Sequence, residues 1–502
     1  MKMKLPKSAY NWLSIIGSTI AIISFFMIIF LLVISTFRGE GGTYLGLVTY
    51  IVLPAFLIAG LILIPIGMWI KRRRMKKGGE KPEREWPRID LNKESHKNAF
   101  MIFSIGTVIF LFLSAVGSYE AFHYTESVEF CGETCHSVMH PEYIAYQNSP
   151  HARVACVDCH VGEGADWYMR SKLSGLYQVY AVIANNYPKP IPTPIKNLRP
   201  ARETCERCHW PEKFYSHKLR YQRHYLADEN NTEWDITMIM RIGPEHSALG
   251  LQEGIHWHIN PDVKVEYIAT DDRRQNIPWV RYTNLKTGKE IVYQYEDEPL
   301  TQAQIDSLPV RTMDCMDCHN RPSHNYQPPA FFVNNAFTAG KIPKDLPEFK
   351  YIAMEICSEE FGTMDSAMAY IDKEIMAFYE DNYPDIYQNE MDKIKKGISG
   401  FQSEFKKNIF PDMKVRWSAY PNNIGHVEFD GCFRCHDNMH YSEDYDVIQK
   451  DCEQCHMIKS QGPPDSLEIA DFDESLMFRH PTDIGGGWMD MLCTDCHTGL
   501  NP

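Results

Sequence analysis

Three long runs without a charged side chain lie in the first quarter of the chain. Residues 8–37, 41–70 and 98–119 contain no Asp, Glu, Lys or Arg. A helix of about 20 residues crosses a hydrocarbon core of roughly 30 Å, so each run is long enough to span a membrane. The first run is too long for a signal peptide and leads directly into a second span. Three transmembrane helices are therefore expected. Beyond them the pattern shortens. Val263–Thr270, Ile277–Thr283 and Ile291–Tyr295 have the composition of short strands, and Lys286-Thr287-Gly288-Lys289 supplies a turn between the last two. Between residues 350 and 410, Met354, Ile356, Phe361, Met368, Ile371, Ile375 and Phe378 recur near helical spacing, which predicts packed helices. Residues 186–200 carry Pro188, Pro190, Pro192, Pro194 and Pro200 and should form an extended connector.

Charge gives the apolar runs a direction. Lys71-Arg72-Arg73-Arg74-Met75-Lys76-Lys77 follows the second run, and Lys2, Lys4 and Lys7 precede the first. The loop between the first two runs holds only Arg38 and Glu40. The excess of Lys and Arg puts the N-terminus and the 71–97 linker on the cytoplasmic side. The third run then delivers everything after about residue 120 to the opposite side of the membrane. The net charge of −14 includes that basic linker, so the external part is more acidic still. An acidic surface argues against nucleic acid as a partner and permits docking to a basic redox protein.

The cysteines carry the chemistry. Fourteen of the 15 fall into seven pairs, each followed at once by His. Six have the spacing C-x-x-C-H: Cys156/Cys159-His160, Cys205/Cys208-His209, Cys315/Cys318-His319, Cys432/Cys435-His436, Cys452/Cys455-His456 and Cys493/Cys496-His497. The first pair, Cys131/Cys135-His136, has three residues between its cysteines. Two thiols add across the two vinyl groups of haem, and the following imidazole takes one face of the iron. Zinc sites also use C-x-x-C, but nothing in their chemistry requires His after every pair. Seven covalent haems c are the expectation, with His136, His160, His209, His319, His436, His456 and His497 as proximal ligands. The haems themselves are expected to form the core of the stretches that carry them. The leftover Cys357 lies in a helical pattern and is expected in the protein core.

Electron-transfer haems need a second axial ligand. Setting aside the seven proximal histidines and His96 of the cytoplasmic linker, twelve of the 20 histidines remain. The candidates singled out are His151, His217, His224, His246, His258, His324, His426, His440 and His480, together with Met139. In the last section three motifs match three spare histidines, His426, His440 and His480. His324 and His440 follow their own motifs too closely to reach around them, and so should serve neighbouring haems. His256 and His258 are read as strand neighbours that point to opposite sides, so only one of them is expected to ligate.

The stretch from the third span through the third motif resembles the NapC/NirT family of membrane-anchored quinol dehydrogenases. The residues carrying the resemblance are Glu129-Phe130-Cys131 through Cys135-His136-Ser137-Val138-Met139-His140-Pro141, then Ser149-Pro150-His151, then Cys156-Val157-Asp158-Cys159-His160-Val161. With its extra spans and the Cys315-Met316-Asp317-Cys318-His319-Asn320-Arg321-Pro322-Ser323-His324 segment, the whole chain is more similar to ImcH-type inner-membrane cytochromes. The resemblance implies a multi-pass protein of a bacterial cytoplasmic (inner) membrane with its haem domain in the periplasm. It implies menaquinol or another quinol as electron donor, contact with membrane lipid and the quinone pool, and periplasmic cytochromes or other redox proteins as acceptors, toward extracellular respiration. It further implies a Met just past the first motif, matched by Met139, and a Lys with a carboxylate near the first haem. Lys172 matches the Lys. Gln178 stands where the acid is expected, and Asp166 is an alternative.

The fold class expected is a three-helix membrane anchor plus a multihaem c-type cytochrome domain, mostly loops and short helices around haems, with a small β-rich insertion and a helical insertion. The divisions are 1–97 (two spans and the basic linker), 98–122 (third span), 123–215 (haems 1–3), 216–330 (β-rich part and haem 4), 331–415 (helical part) and 416–502 (haems 5–7). Two other functions are open on sequence alone. A terminal reductase would need one iron with an open position. A relay subunit of a larger complex would take electrons from a protein rather than from quinol.

Overall fold

The computed structural model describes residues 11–38, 49, 52–76, 90–134, 136–162, 164–195, 199–210, 217–243 and 254–500. The chain divides into two compact units, residues 1–134 with 155–177, and residues 135–154 with 178–502.

The first unit contains three helices long and apolar enough to cross a membrane, α1 (Trp12–Arg38), α2 (Leu53–Lys76) and α3 (Glu94–Glu126). α1 and α2 approach at small residues. A Cβ placed on Gly60 would sit 2.7 Å from the Gly17 carbonyl oxygen and 2.7 Å from the Ala21 nitrogen. Small residues let backbones close where lipid gives no hydrophobic drive for helices to associate. Ser14 Oγ adds an interhelical hydrogen bond to the Ile64 carbonyl at 2.9 Å. Bulky apolar side chains such as Phe26, Leu61, Ile105 and Phe110 remain exposed around these helices, as lipid contact requires.

The second unit begins with α4 (His136–Gln147). A further helix, α5 (Ala165–Ile183), runs from the first unit into the second. Nine strands form two antiparallel sheets among the described residues. The first has the order β1 (His217–Tyr225), β2 (Glu233–Arg241), β8 (His456–Gly462), β9 (Glu468–Ile469). The second has the order β6 (Arg311–Thr312), β3 (Val263–Ile268), β4 (Trp279–Asn284), β5 (Glu290–Tyr295), β7 (His440–Ser442). The short runs read as strands supply β3, β4 and β5. Registers are pinned by directly opposed charges. Arg223 faces Asp235 across β1 and β2 with two hydrogen bonds of 2.7 Å. Arg281 faces Glu266 across β4 and β3, bonding at 2.9 and 2.7 Å. Each sheet also takes in a strand from the C-terminal section, so the strands between motifs scaffold the later motifs as well.

Residues 329–408 form the helical part: α6 (Pro329–Thr338), α7 (Phe349–Ser358), α8 (Met364–Asn382), α9 (Pro384–Asn389) and α10 (Met391–Asn408). The apolar positions of α10, Ile394, Ile398, Phe401 and Phe405, repeat at i, i+4, i+7 and i+11 and line one face. They meet Phe332, Phe349, Ile371 and Tyr379 in the largest core cluster, where Cys357 is also buried. Gly400 is required there, because a Cβ would stand 2.5 Å from the Lys341 carbonyl oxygen. The same core encloses Lys350, whose ammonium donates to the Ala330 carbonyl at 2.8 Å and to Asn334 Oδ1. Burial pulls this amine down to about 7.

Phe401 is fully buried between the rings of Phe332, Phe349 and Phe405. Phe401→Ala should destabilise this part by about 3–5 kcal/mol. The check is a lowered thermal midpoint of the detergent-purified protein, with haem absorbance unchanged at low temperature.

Candidate haem-binding site

The motif cysteines sit on single turns of helix, where the short loop between two thiols closes naturally. Cys156–His160, Ala201–Cys205 and Cys315–Cys318 are short α-helical turns, whereas Gly431–Arg434, Cys452–Gln454 and Cys493–Asp495 are 3-10 turns. Residues inside the motifs lock some of these turns. Asp317, between Cys315 and Cys318, is buried and accepts from Tyr267 Oη at 2.6 Å, Arg311 Nε at 2.6 Å and Arg274 at 3.2 Å. It also accepts from the Asp314 backbone N–H at 2.7 Å. Arg434, between Cys432 and Cys435, donates to the Asp317 carbonyl at 3.0 Å and to the Arg274 carbonyl at 2.7 Å. The fourth and fifth motifs are thus tied together through two side chains that sequence inspection passed over as spacers.

Across the second unit the motifs form a row. The thiol of Cys205 hydrogen-bonds that of Cys315. Cys318 lies within electrostatic reach of Cys432 and Cys435, Cys455 of Cys432, and Cys493 of Cys452. In the first unit the thiols of Cys131 and Cys156 hydrogen-bond in the same way. Cys135 lies outside the described residues.

The helical turn Ala201–Cys205 ends before Cys208, whose backbone N–H reaches back to the Cys205 carbonyl at 3.1 Å.

The decisive geometry is the spacing of imidazoles. Metal–imidazole bonds of roughly 2.0–2.1 Å, plus about 1.1 Å from nitrogen to ring centre, place two rings on opposite faces of an iron about 6.2 Å apart. Among the described residues, five motif histidines have a second imidazole at this distance. The ring centroids are 6.1 Å apart for His151 and His209, 6.1 Å for His256 and His319, and 5.9 Å for His258 and His436. They are 6.3 Å apart for His426 and His456, and 5.9 Å for His480 and His497. Haem therefore fits the residues present.

The rings are also oriented as ligands are. His256, His258 and His480 place Nδ1 at 2.9, 2.8 and 2.8 Å from the backbone carbonyls of Ile242, Ile255 and Thr482. His436 does the same toward the Gln449 carbonyl at 3.0 Å. A donor bond from Nδ1 fixes the tautomer and leaves Nε2 for the metal. Burial lowers the basicity of His256, His319, His436 and His456, and takes His258 and His426 down to about 4. These rings are neutral, the form that binds metal.

Two ligand expectations change. His256 and His258 stand on a 3-10 turn, Ile255–Ile259, rather than on a strand. Two residues along such a turn rotate by about 240°, so both rings reach motifs, but different ones. His256 was passed over for this reason, although His256-Trp257-His258 was visible. The other correction is His440. Its ring is 1% exposed, with Nδ1 at 3.0 Å from Asp437 and Nε2 at 2.8 Å from the Ile277 carbonyl. Both nitrogens are engaged within β7 and its neighbours, so His440 is a structural residue and not an iron ligand. The ring opposite His436 is His258, which comes from far upstream and lay outside the count of three motifs and three histidines.

The remaining candidates fall as follows. His324 has Nδ1 at 3.0 Å from the Glu142 carbonyl, the same orientation as the paired ligands. His224 is half-buried on β1 within reach of Lys350, Arg220 and Asp235, and desolvation takes it down to about 4. His217 lies exposed at the start of β1, Met139 is half-buried on α4, and His246 lies outside the described residues. Lys172 is half-buried on α5, with its ammonium 5.1 Å from the Tyr168 ring centre. Asp166 and Gln178 stand exposed six residues to either side, a rotation of roughly 240° each way on an α-helix, so neither shares its face. Glu126, the last residue of α3, lies within electrostatic reach of Lys172. Sequence reading missed it because it sits at the end of a span, 46 positions earlier in the chain.

Comparison with known proteins gives concordant results. The NapC/NirT cytochrome c family, N-terminal region, matches residues 92–191. The cytochrome c-type protein ImcH of Geobacter sulfurreducens is 42% identical over 99% of this chain and 97% of its own length. No solved structure matches.

His426→Ala should convert one low-spin haem to high-spin in the EPR spectrum of the oxidised protein. His440→Ala should leave the low-spin set intact and lower only thermal stability.

Proposed function

Because the chain belongs to the same family as the cytochrome c-type protein ImcH and carries a NapC/NirT region, we propose that this membrane multihaem cytochrome is a quinol dehydrogenase. It oxidises menaquinol or another quinol and passes the electrons to periplasmic cytochromes or other redox proteins. Seven haems c attach at the seven motifs. The haems supply one-electron chemistry at iron, and the chain supplies attachment, ligation, spacing and proton handling.

The observation that carries this reading is the unbroken succession of motifs from Cys205 to Cys496, with five opposed imidazole pairs along it. Such a row conducts single electrons over a distance that no one site could bridge. His151, His256, His258, His426 and His480 hold the distal positions of haems 3 to 7, and His324 serves a haem other than its own. Opposed imidazoles at these five motifs leave no open iron position there, which disfavours a terminal reductase. The N-terminus and the basic 71–77 stretch face the cytoplasm, and the motifs lie in the periplasm.

The donor end is the boundary of the third span. α5 exposes Met169, Leu173, Leu176, Tyr180 and Ile183, which recur at i, i+4, i+7, i+11 and i+14. An apolar stripe of this kind lies in the headgroup region of a bilayer, where a lipid-soluble quinol arrives. Lys172 sits on the same helix.

Two measurements test the proposal. Stopped-flow mixing of oxidised protein with a menaquinol analogue should reduce the haems rapidly, and failure to reduce them would remove quinol as donor. Haem-to-protein stoichiometry should be seven in the wild type and six when Cys131 and Cys135 are both replaced by Ala. A ratio of six in the wild type would show that the irregular first motif binds nothing.

A further inference from the structure

The segment that follows the fourth motif meets α4 in a buried charged cluster. Arg321 is 9% exposed and lies against the rings of Tyr420 and Tyr326, with Cζ 4.3 and 5.1 Å from their centres. Its Nε donates to the His324 carbonyl at 2.7 Å, and its Nη2 stands 3.5 Å from Oε2 of Glu142, a residue of α4. The same carboxylate oxygen is 3.1 Å from His324 Nδ1, which also lies 3.0 Å from the Glu142 carbonyl. Among the described residues, Glu142 Oε2, Arg321 Nη2 and Tyr326 Oη are buried without a hydrogen-bond partner. Charges enclosed in this way are screened little by solvent.

Other ligand rings are held by backbone. His256, His258, His436 and His480 aim Nδ1 at carbonyls, and His151 does the same toward the Pro322 carbonyl at 3.3 Å. A carbonyl fixes the direction and tautomer of the ring. A carboxylate beside the same N–H adds a full negative charge, which makes the imidazole more basic and a stronger donor to a metal. Ferric iron gains more from such a ligand than ferrous iron, because it carries one more positive charge. At His324 the two roles fall to different groups of one residue: the Glu142 carbonyl orients the ring and its side chain charges it. The Arg321 guanidinium opposes that charge, so the field at the ring is set by the pair.

We infer that Glu142 lowers the reduction potential of the haem that His324 serves, and that Arg321 limits the effect. This rests on the ligation by His324 given under the proposed function. Neither residue touches iron; both act through the ring of His324 as positioning residues. An iron held in this way gives up its electron more easily than one whose ligand leans on a carbonyl alone.

The test uses the haem-loaded, detergent-purified protein and its Glu142→Gln, Glu142→Asp, Arg321→Gln and His324→Ala variants. Redox titration followed by absorbance and EPR reads the midpoint of each low-spin haem. In E142Q one midpoint should rise, by about tenfold in the ferric-to-ferrous ratio or about 59 mV for one electron, while the others stay in place. E142D should return that midpoint toward the wild-type value, and R321Q should move it downward. Loosening of the fold would move E142Q and R321Q in the same direction, so opposite signs mark an effect of charge. H324A should turn the same haem high-spin. If R321Q does not assemble, the contrast between E142Q and E142D carries the test. Unchanged midpoints in E142Q, or shifts of one sign in E142Q and R321Q, would overturn the role of Glu142 while leaving His324 as a ligand. An H324A protein with every low-spin signal intact would instead overturn the ligation by His324 and this inference with it.

Discussion

A metal held between two imidazoles leaves the chain little freedom. Both rings must stand about 6 Å apart, each aimed by its Nδ1 and each neutral. Among the described residues, five places in the second unit meet this demand, and much of the surrounding structure can be understood as meeting it. The motif turns are short because two thiols must reach one macrocycle. The sheets take in strands that begin at His440, just past the fifth motif, and at His456, the sixth motif's own histidine, and so fix those motifs to the β-rich scaffold. Arg434 and Asp317 then lock the fourth motif against the fifth. Electron transfer depends on such fixed separations, and here backbone hydrogen bonds and buried charges set them.

The helical part obeys a different rule. Its core is ordinary apolar packing around Phe332, Phe349, Phe401 and Phe405. This explains why its positions were readable as a helical repeat while the haem-bearing stretches showed no comparable period. The spans were legible for a similarly simple reason, since three runs without charge admit few other interpretations. Attachment cysteines and proximal histidines were legible because covalent chemistry fixes their spacing.

Distal ligands were less legible, since tertiary placement chooses them. His256 and His258 belong to two different motifs because a 3-10 turn, entered through Gly254 at φ +112°, splays them. His440 looked like a ligand by count, yet Asp437 and the Ile277 carbonyl claim its ring. In each case the residue type was visible and the partner was not.

The claim on which all of this turns is bis-imidazole ligation along the row from the third to the seventh motif. Near-infrared magnetic circular dichroism of the oxidised protein distinguishes bis-histidine from histidine–methionine and high-spin haems through their charge-transfer bands. The five ring pairs predict a bis-histidine band accounting for at least five haems per chain. A spectrum in which fewer than five haems are bis-histidine, with the balance methionine-ligated or high-spin, would contradict the ligand pairing.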